Sequence, residues 1–356
     1  MVNNKFGCAV IGYGGMGSWH TRKIKDEFGD CAELIGIYDI NLERCRIAEE
    51  NGIHAFSSRE ELLADERIDL VTIATPNDVH KEIAIAALEA GKNVISEKPV
   101  AMNSGELEDM IACANRCGKL FTVHQNRRWD QDYLSVRKLM EENTLGKIFR
   151  IESRVHGSRG IPGDWRNQPE HGGGMLLDWG IHLLDQALMM TMPRKLVSVY
   201  AELTYVTNEK CDDGFRATLL FDDGLSFLVE VTTSNFIELP LWYVLGENGS
   251  GVITDWDCNG KIVMVSDWEN RDSVPIVAGA GITKTMAPRT DDTIKTYPLE
   301  VAPTDWGGYY KNIFAYLAGK EDIIVTHNQQ RRLMRLIEAI KESGSNNKLV
   351  EFEDII

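Results

Sequence analysis

The sequence predicts an α/β protein in two parts: a doubly wound parallel sheet, then an α+β unit with a large, mostly antiparallel open sheet. Three observations predict it. Short apolar runs alternate with helix-period segments through the first 125 residues, the order that βαβ units require. From Lys147 onwards strand follows strand, several of them joined by tight turns such as Asp222-Asp223-Gly224 and Asn259-Gly260. The 356 residues are enough for two cores. The expected division is 1–125 and 126–356, with the C-terminal helices free to pack back on the first part.

In chain order, Phe6 to Ile11 reads as a buried strand and Met16 to Phe28 as a helix. Glu33 to Tyr38 is the second strand, and Leu42 to Asn51 a helix stopped by Gly52. Ser57-Ser58-Arg59-Glu60 has the serine and acidic residues of a helix start. Leu70 to Ala74 is a strand leading through Thr75-Pro76-Asn77 into a helix that runs to Ala90. Asn93 to Ser96 is a strand ending in Glu97-Lys98-Pro99, Ser104 to Cys117 a helix, and Leu120 to His124 a strand. In the second part, strands are expected at 148–155, 196–206, 215–221, 225–232, 242–245, 251–254 and 261–265. One helix, about Met175 to Met190, interrupts them. Residues 267–298 read as a hairpin or loop excursion, and 305–317 and 328–343 as closing helices.

Between the first strand and helix stands Gly12-Tyr13-Gly14-Gly15-Met16-Gly17. Gly12 suits a tight turn, Gly14 lets backbone approach a pyrophosphate, and Gly17 lets helix and strand pack closely. The helix start offers free amides and a positive dipole end to an anion. Asp39, 22 residues beyond Gly17, can accept the ribose hydroxyls of an adenosine and repel a 2′-phosphate. The order strand, turn, helix, strand therefore points to a dinucleotide site comprising Gly12, Gly14, Gly15, Met16, Gly17, Asp39 and Ile40. It favours NAD over NADP, although Arg44 is near enough to complicate that preference.

Acidic residues outnumber basic ones, 54 to 38, for a formal charge of -16, which argues against a general nucleic-acid or anionic-membrane binder. No apolar leader or membrane-length run is evident, and seven scattered cysteines do not suggest a disulfide framework. A cytoplasmic protein is expected. Cys113 and Cys117 share a helix face, but no second ligand cluster completes a metal site, and none is expected.

Two stretches carry candidate chemistry. In Glu97-Lys98-Pro99, the proline restricts Lys98, whose ammonium could stabilise a developing alkoxide; a surface lysine paired with Glu97 is the plainer alternative. In the run from Gly172 to Asp185, Asp178 and His182 are four apart and share a helix face. Asp185 could orient the His182 ring. A capped aspartate and a satisfied core histidine are the plainer alternative there.

These motifs together resemble the glucose-fructose oxidoreductase / inositol 2-dehydrogenase / MocA (Gfo/Idh/MocA) family of NAD(P)-dependent oxidoreductases. The resemblance rests on the glycine turn, Ala74-Thr75-Pro76-Asn77 with His80, Ala90-Gly91-Lys92 leading into Glu97-Lys98-Pro99, and Gly173-Gly174 leading into Asp178, Gly180 and His182. It covers nearly the whole chain. It implies a Rossmann domain followed by a sheet domain whose open face mediates homo-oligomer contacts. It also implies Lys98, Asp178 and His182 as catalytic residues. Thr75, Pro76, Asn77, His80, Glu97, Lys98 and Asn126 would line the nicotinamide and ribose, with Trp165 and Arg166 against cofactor or substrate.

The reaction so implied is oxidation of a secondary hydroxyl on a sugar, glycoside or cyclitol. His182 would be the base, titrating near working pH, Lys98 would polarise the oxygen, and Asp178 would hold a neighbouring hydroxyl. Arg128, His156 and Trp165 would join these three in binding substrate, and Trp129, Arg159, Arg166, His171 and Trp179 also suit a polyol pocket. Two rival readings are an NAD-dependent glycosidase working by transient oxidation and elimination, and a non-catalytic NAD-binding sensor.

Overall fold

The computed structural model describes residues 5–270 and 274–356. β1 (Phe6–Ile11), β2 (Ala32–Tyr38), β3 (Leu70–Ile73), β4 (Asn93–Ser96) and β5 (Phe121–Val123) form a parallel sheet in the order β2-β1-β3-β4-β5. Its inner strands are buried because helices cover both faces, as an all-parallel sheet requires. Those helices are α1 (Gly15–Glu27), α2 (Leu42–Glu50), α3 (Arg59–Ala64), α4 (His80–Glu89) and α5 (Ser104–Cys117). Asn41, Ser58 and Asn103 cap α2, α3 and α5, each accepting a backbone N–H of the first turn.

α6 (Gln131–Glu141) links the two sheets. Its buried Tyr133, Val136 and Leu139 repeat every third residue, a period that charged neighbours mask in the sequence. The second sheet orders nine strands among the described residues, β15-β12-β11-β10-β6-β9-β8-β7-β16. In chain order these are β6 (Ile148–His156), β7 (Leu196–Thr204), β8 (Gly214–Phe221), β9 (Ser226–Thr232), β10 (Trp242–Gly246), β11 (Gly249–Ile253), β12 (Gly260–Val265), β15 (Ile294–Pro298) and β16 (Val350–Glu351). Every neighbouring pair is antiparallel except β6 with β9.

Two expectations need correction, and one further strand was not foreseen. The helix expected from Met175 to Met190 opens with a π-helical turn, Leu176–Gly180, and becomes α7 only at Ile181–Met190. Gly180 lies against Phe215 of β8, where an added Cβ would come within 2.5 Å of the ring. The excursion at 267–298 holds a small hairpin, β13 (Ile276–Ala278) with β14 (Gly281–Thr283), but its last part is β15, an edge strand paired with β12. Residues 271–273 within it, and the first four residues of the chain, lie outside the described residues. β16 pairs with β7, an edge too short to read from sequence.

α8 (Gly308–Leu317) packs back on the first sheet, whereas α9 (His327–Asn346) starts beside β5 and runs mainly along β7 of the second. The Thr122 hydroxyl donates to the Val325 carbonyl at 3.0 Å, and His327 Nε2 bonds the Phe121 carbonyl at 2.8 Å. Among the described residues, no helix is long and apolar enough to cross a membrane.

Candidate active site

The carboxyl ends of β1, β3, β4 and β5 face the glycine-led opening of α7. At the end of β1, Gly12 has φ +91°, and an added Cβ would strike the Ala74 carbonyl at 2.4 Å. A Cβ on Gly17 would lie 1.9 Å from the Gly12 carbonyl, so helix and strand touch there. Gly14 and Gly15 have nothing within 4 Å of that position, leaving open space at the helix start. No side chain caps α1. Its first amides thus face that space with their dipole, which suits a diphosphate. Asp39 accepts from Tyr13 N at 2.6 Å and from Asn41 N at 2.8 Å, fixing its carboxylate beside the turn. Arg44 bonds the Tyr13 carbonyl at 3.3 Å, while Met16 and Ile40 are exposed at the rim. Thr75 adds a buried hydroxyl with no protein partner. These residues fit a dinucleotide.

Lys98 leaves the end of β4 and crosses to the second part of the chain. Its Nζ donates to the Asp178 carbonyl at 2.8 Å and to Asp178 Oδ1 at 3.1 Å, while Arg166 Nε donates to Oδ2 at 3.2 Å. Burial disfavours charge on Asp178, yet Lys98 and Arg166 outweigh it and hold the carboxyl below its usual value. His182 follows one turn later and is buried, with Nδ1 lacking a partner among the described residues. Burial first, then the charges of Lys98 and Arg127, push its basicity well below the ordinary imidazole range. The expectation of titration near working pH is therefore corrected downward: the resting ring is neutral.

Asp185 does not orient His182. It takes both guanidinium arms of Arg128 at 2.7 Å, with the two side chains 3% and 7% exposed. Arg128, expected to bind substrate, is committed to that pair and to Gln329 at 2.8 Å. His156 is also misplaced by the sequence reading. Side chains alternate along β6, so Ile151, Ser153 and Val155 face α7 while His156 faces outward with Arg154 and Glu230. The sheet separates it from His182. Trp129 packs on Tyr309 of α8.

Among the expected cofactor contacts, His80 is fully buried and braces the loop ends, bonding the Thr75 and Pro99 carbonyls at 3.0 Å each. Glu97 is not paired with the Lys98 side chain. Its Oε1 accepts from His20 Nε2 at 2.9 Å and His124 Nδ1 at 2.8 Å, and its Oε2 accepts from Lys98 N at 3.1 Å. Burial opposes its charge, but His124 and His20 carry the carboxyl well below the usual range. These three are, among the described residues, the one group with metal-ligand reach, and hydrogen bonding accounts for their closeness. The loop of Trp165 and Arg166 spans toward the first sheet. Its Gly172 carbonyl accepts from Asn77 Nδ2 at 3.0 Å, and His171 pairs with Asp78 at 3.0 Å. The Arg166 guanidinium stacks on Trp165 at 4.6 Å.

A Rossmann-type glycine turn and Glu97-Lys98-Pro99 stand at carboxyl ends of one parallel sheet, and Asp178 meets that lysine from the π-helical turn of the second part of the chain. Residues 6–125 match the model of the oxidoreductase family with the NAD-binding Rossmann fold, and residues 133–252 that of the GFO/IDH/MocA C-terminal domain. The chain belongs to the Gfo/Idh/MocA oxidoreductase family. A crystal structure of an NAD-binding protein from Listeria innocua is 44% identical, covers 98% of this chain and 100% of its own, and superposes with a TM-score of 0.93. The uncharacterized oxidoreductase YdgJ of Escherichia coli is 31% identical over 82% of this chain and 83% of its own. The scyllo-inositol 2-dehydrogenase (NADP(+)) IolW of Bacillus subtilis is 27% identical over 83% and 82%. As a Gfo/Idh/MocA member, this protein is an NAD-dependent oxidoreductase. Sequence reasoning left out His20 and His124, which hold Glu97, and Trp256, which stands beside Trp179. No spacing links positions so far apart in the chain.

Proposed function

We propose that this enzyme oxidises a secondary hydroxyl of a sugar, glycoside or cyclitol, with Lys98, Asp178 and His182 as its catalytic residues. The observation that carries the reading is the bond from Lys98 to Asp178, which sets an ammonium within electrostatic reach of a neutral, buried imidazole. Bound NAD supplies the hydride acceptor, held by Gly12, Gly14, Gly15, Gly17, Asp39 and the Thr75 hydroxyl.

His182 takes the hydroxyl proton; being neutral at rest, it needs no prior deprotonation. Lys98 donates a hydrogen bond to the same oxygen as negative charge grows there, in a site where few waters screen it. Asp178, fixed by Lys98 and Arg166, has acceptor capacity left for an adjacent hydroxyl of a polyol. Trp165 and Arg166 close the mouth from the second part of the chain. The exposed outer face of the second sheet, carrying Tyr200 and Leu220, supports a homo-oligomer through that face.

The test is NADH formation across a panel of sugars, glycosides and inositols, repeated with His182→Ala. Turnover should fall by about 10²- to 10⁴-fold. NAD affinity, read by fluorescence, should stay nearly unchanged. Equal turnover in the variant refutes the role of His182.

A further inference from the structure

Trp179 follows Asp178 directly, and its ring packs edge-on against His182 with centroids 6.1 Å apart. The Arg127 guanidinium stacks on that ring at 4.2 Å, and Trp256 lies against it at 5.7 Å. Trp256 comes from the turn between β11 and β12 and remains 57% exposed. The turn that presents it is braced by its own hydrogen bonds. Asp255 Oδ1 accepts from Asp257 N, Asn259 N and Asn259 Nδ2, each at 3.1 Å, and Cys258 is tucked inside. An indole resting on Trp179 from such a turn has less freedom to lose on binding, which lowers the entropic cost.

Beneath the two indoles runs a narrow crevice, lined among others by Arg127, Asp130, Ser153, Trp179, Gln186 and Trp256. Its floor has room for about one hydroxyl-sized group. Two buried polar atoms in the lining residues have no partner among the described residues, Ser153 Oγ and Gln186 Oε1, in residues 1% and 2% exposed. Buried oxygens left unpaired are destabilising, so both favour an incoming donor. Gln186 sits four residues beyond His182 on α7, and Trp179, which packs on His182, also lines the crevice, so the crevice lies beside the reaction centre. Aromatic faces for C–H surfaces and orphaned oxygens for hydroxyls are together what a carbohydrate ring asks of a site.

We infer that Trp256, Trp179, Ser153 and Gln186 form a distal subsite for the non-reacting ring of a glycoside, so that the substrate is a glycoside carrying a second ring. The inference rests on the sugar-oxidation reading above. The non-reacting ring lies on the Trp256 indole and sends a hydroxyl to the floor of the crevice.

The test measures NADH formation by the NAD-loaded enzyme on disaccharides and phenyl glycosides, each paired with its parent monosaccharide, and on free inositols. A preferred glycoside should exceed its parent in kcat/KM by about tenfold or more, roughly one aromatic contact's worth. Trp256→Ala should collapse that ratio toward one, Ser153→Ala should lower it in part, and Trp256→Phe should keep most of it. Thermal melting checks that each variant is folded. A ratio unaltered in folded Trp256→Ala, or parents and inositols used as well as glycosides, overturns the subsite while leaving sugar oxidation standing. A change of oligomeric state in Trp256→Ala with the ratio intact also overturns it, assigning the indole to a subunit contact. No NAD reduction by any compound would end the sugar reading and the subsite with it.

Discussion

His182 stands between burial and a nearby ammonium, and both disfavour its protonated form. A base must be neutral to accept a proton, so activity is lost only as pH falls through its lowered pKa. The acid limb of kcat/KM should therefore bend below the ordinary imidazole value of about 6.5. An acid limb centred at or above that value would remove His182 from the role. Asp185 makes a contrasting case, because its carboxylate is spent on Arg128 in a dry bidentate pair. Asp185→Asn leaves a buried guanidinium without its counter-charge, which should cost about 3–5 kcal/mol in urea unfolding. The folded fraction of that variant should keep its kcat. A loss of kcat near that of the His182 variant, with stability unchanged, would instead return Asp185 to the imidazole.

The turn from β1 into α1 separates what glycine does for the fold from what it does for the ligand. Gly17 touches the Gly12 carbonyl, so Gly17→Ala must push helix from strand and lower the melting temperature together with NAD affinity. Gly14 has φ -81° and open space around it. Gly14→Ala should melt like the wild type but bind NAD more weakly by about tenfold, its methyl occupying room left for the pyrophosphate. Equal NAD affinity in that variant would place the dinucleotide elsewhere. This motif was legible because its function is local: three glycines, a helix start and Asp39 are set by spacing along one βαβ unit. Lys98 and Asp178 were legible singly, one at a strand end and one after a glycine run, but their meeting was not, since 80 residues separate them. The π-helical turn at Leu176–Gly180 was not, since it packs on Phe215 of β8 and is bonded by Asp212 of the loop before β8. Nor were the true partners of Asp185, Glu97 and His156, because each is fixed by a residue distant in sequence.

Burial of ionisable groups links the two halves of the molecule to pH. His20, His80 and His182 are held neutral by burial, each with its pKa below the ordinary value. The unfolded chain takes up protons at these sites that the folded chain refuses, so their contribution to stability falls as pH drops below about 6.5. Asp212 acts in the opposite direction. Its Oδ2 accepts from Leu176 N at 2.7 Å and its carbonyl from Met175 N at 2.9 Å, so it anchors the turn that carries Asp178. Burial raises its pKa to about 7, the N–H bonds and Lys341 of α9 offsetting that only in part; Cys211 and Tyr205 are its other titratable neighbours. Between its unfolded pKa of about 3.9 and that raised value, the folded chain holds a proton that the unfolded chain releases. Ionising it therefore costs stability, increasingly as pH rises toward 7 and fully above it, on the order of 2–4 kcal/mol. Asp212→Asn keeps an acceptor for Leu176 N and removes the ionisation. The variant's gain in melting temperature over the wild type should be small at pH 5 and distinctly larger at pH 8.5. A lower melting temperature at pH 8.5 would mean that attraction to Lys341, rather than desolvation, governs this carboxylate.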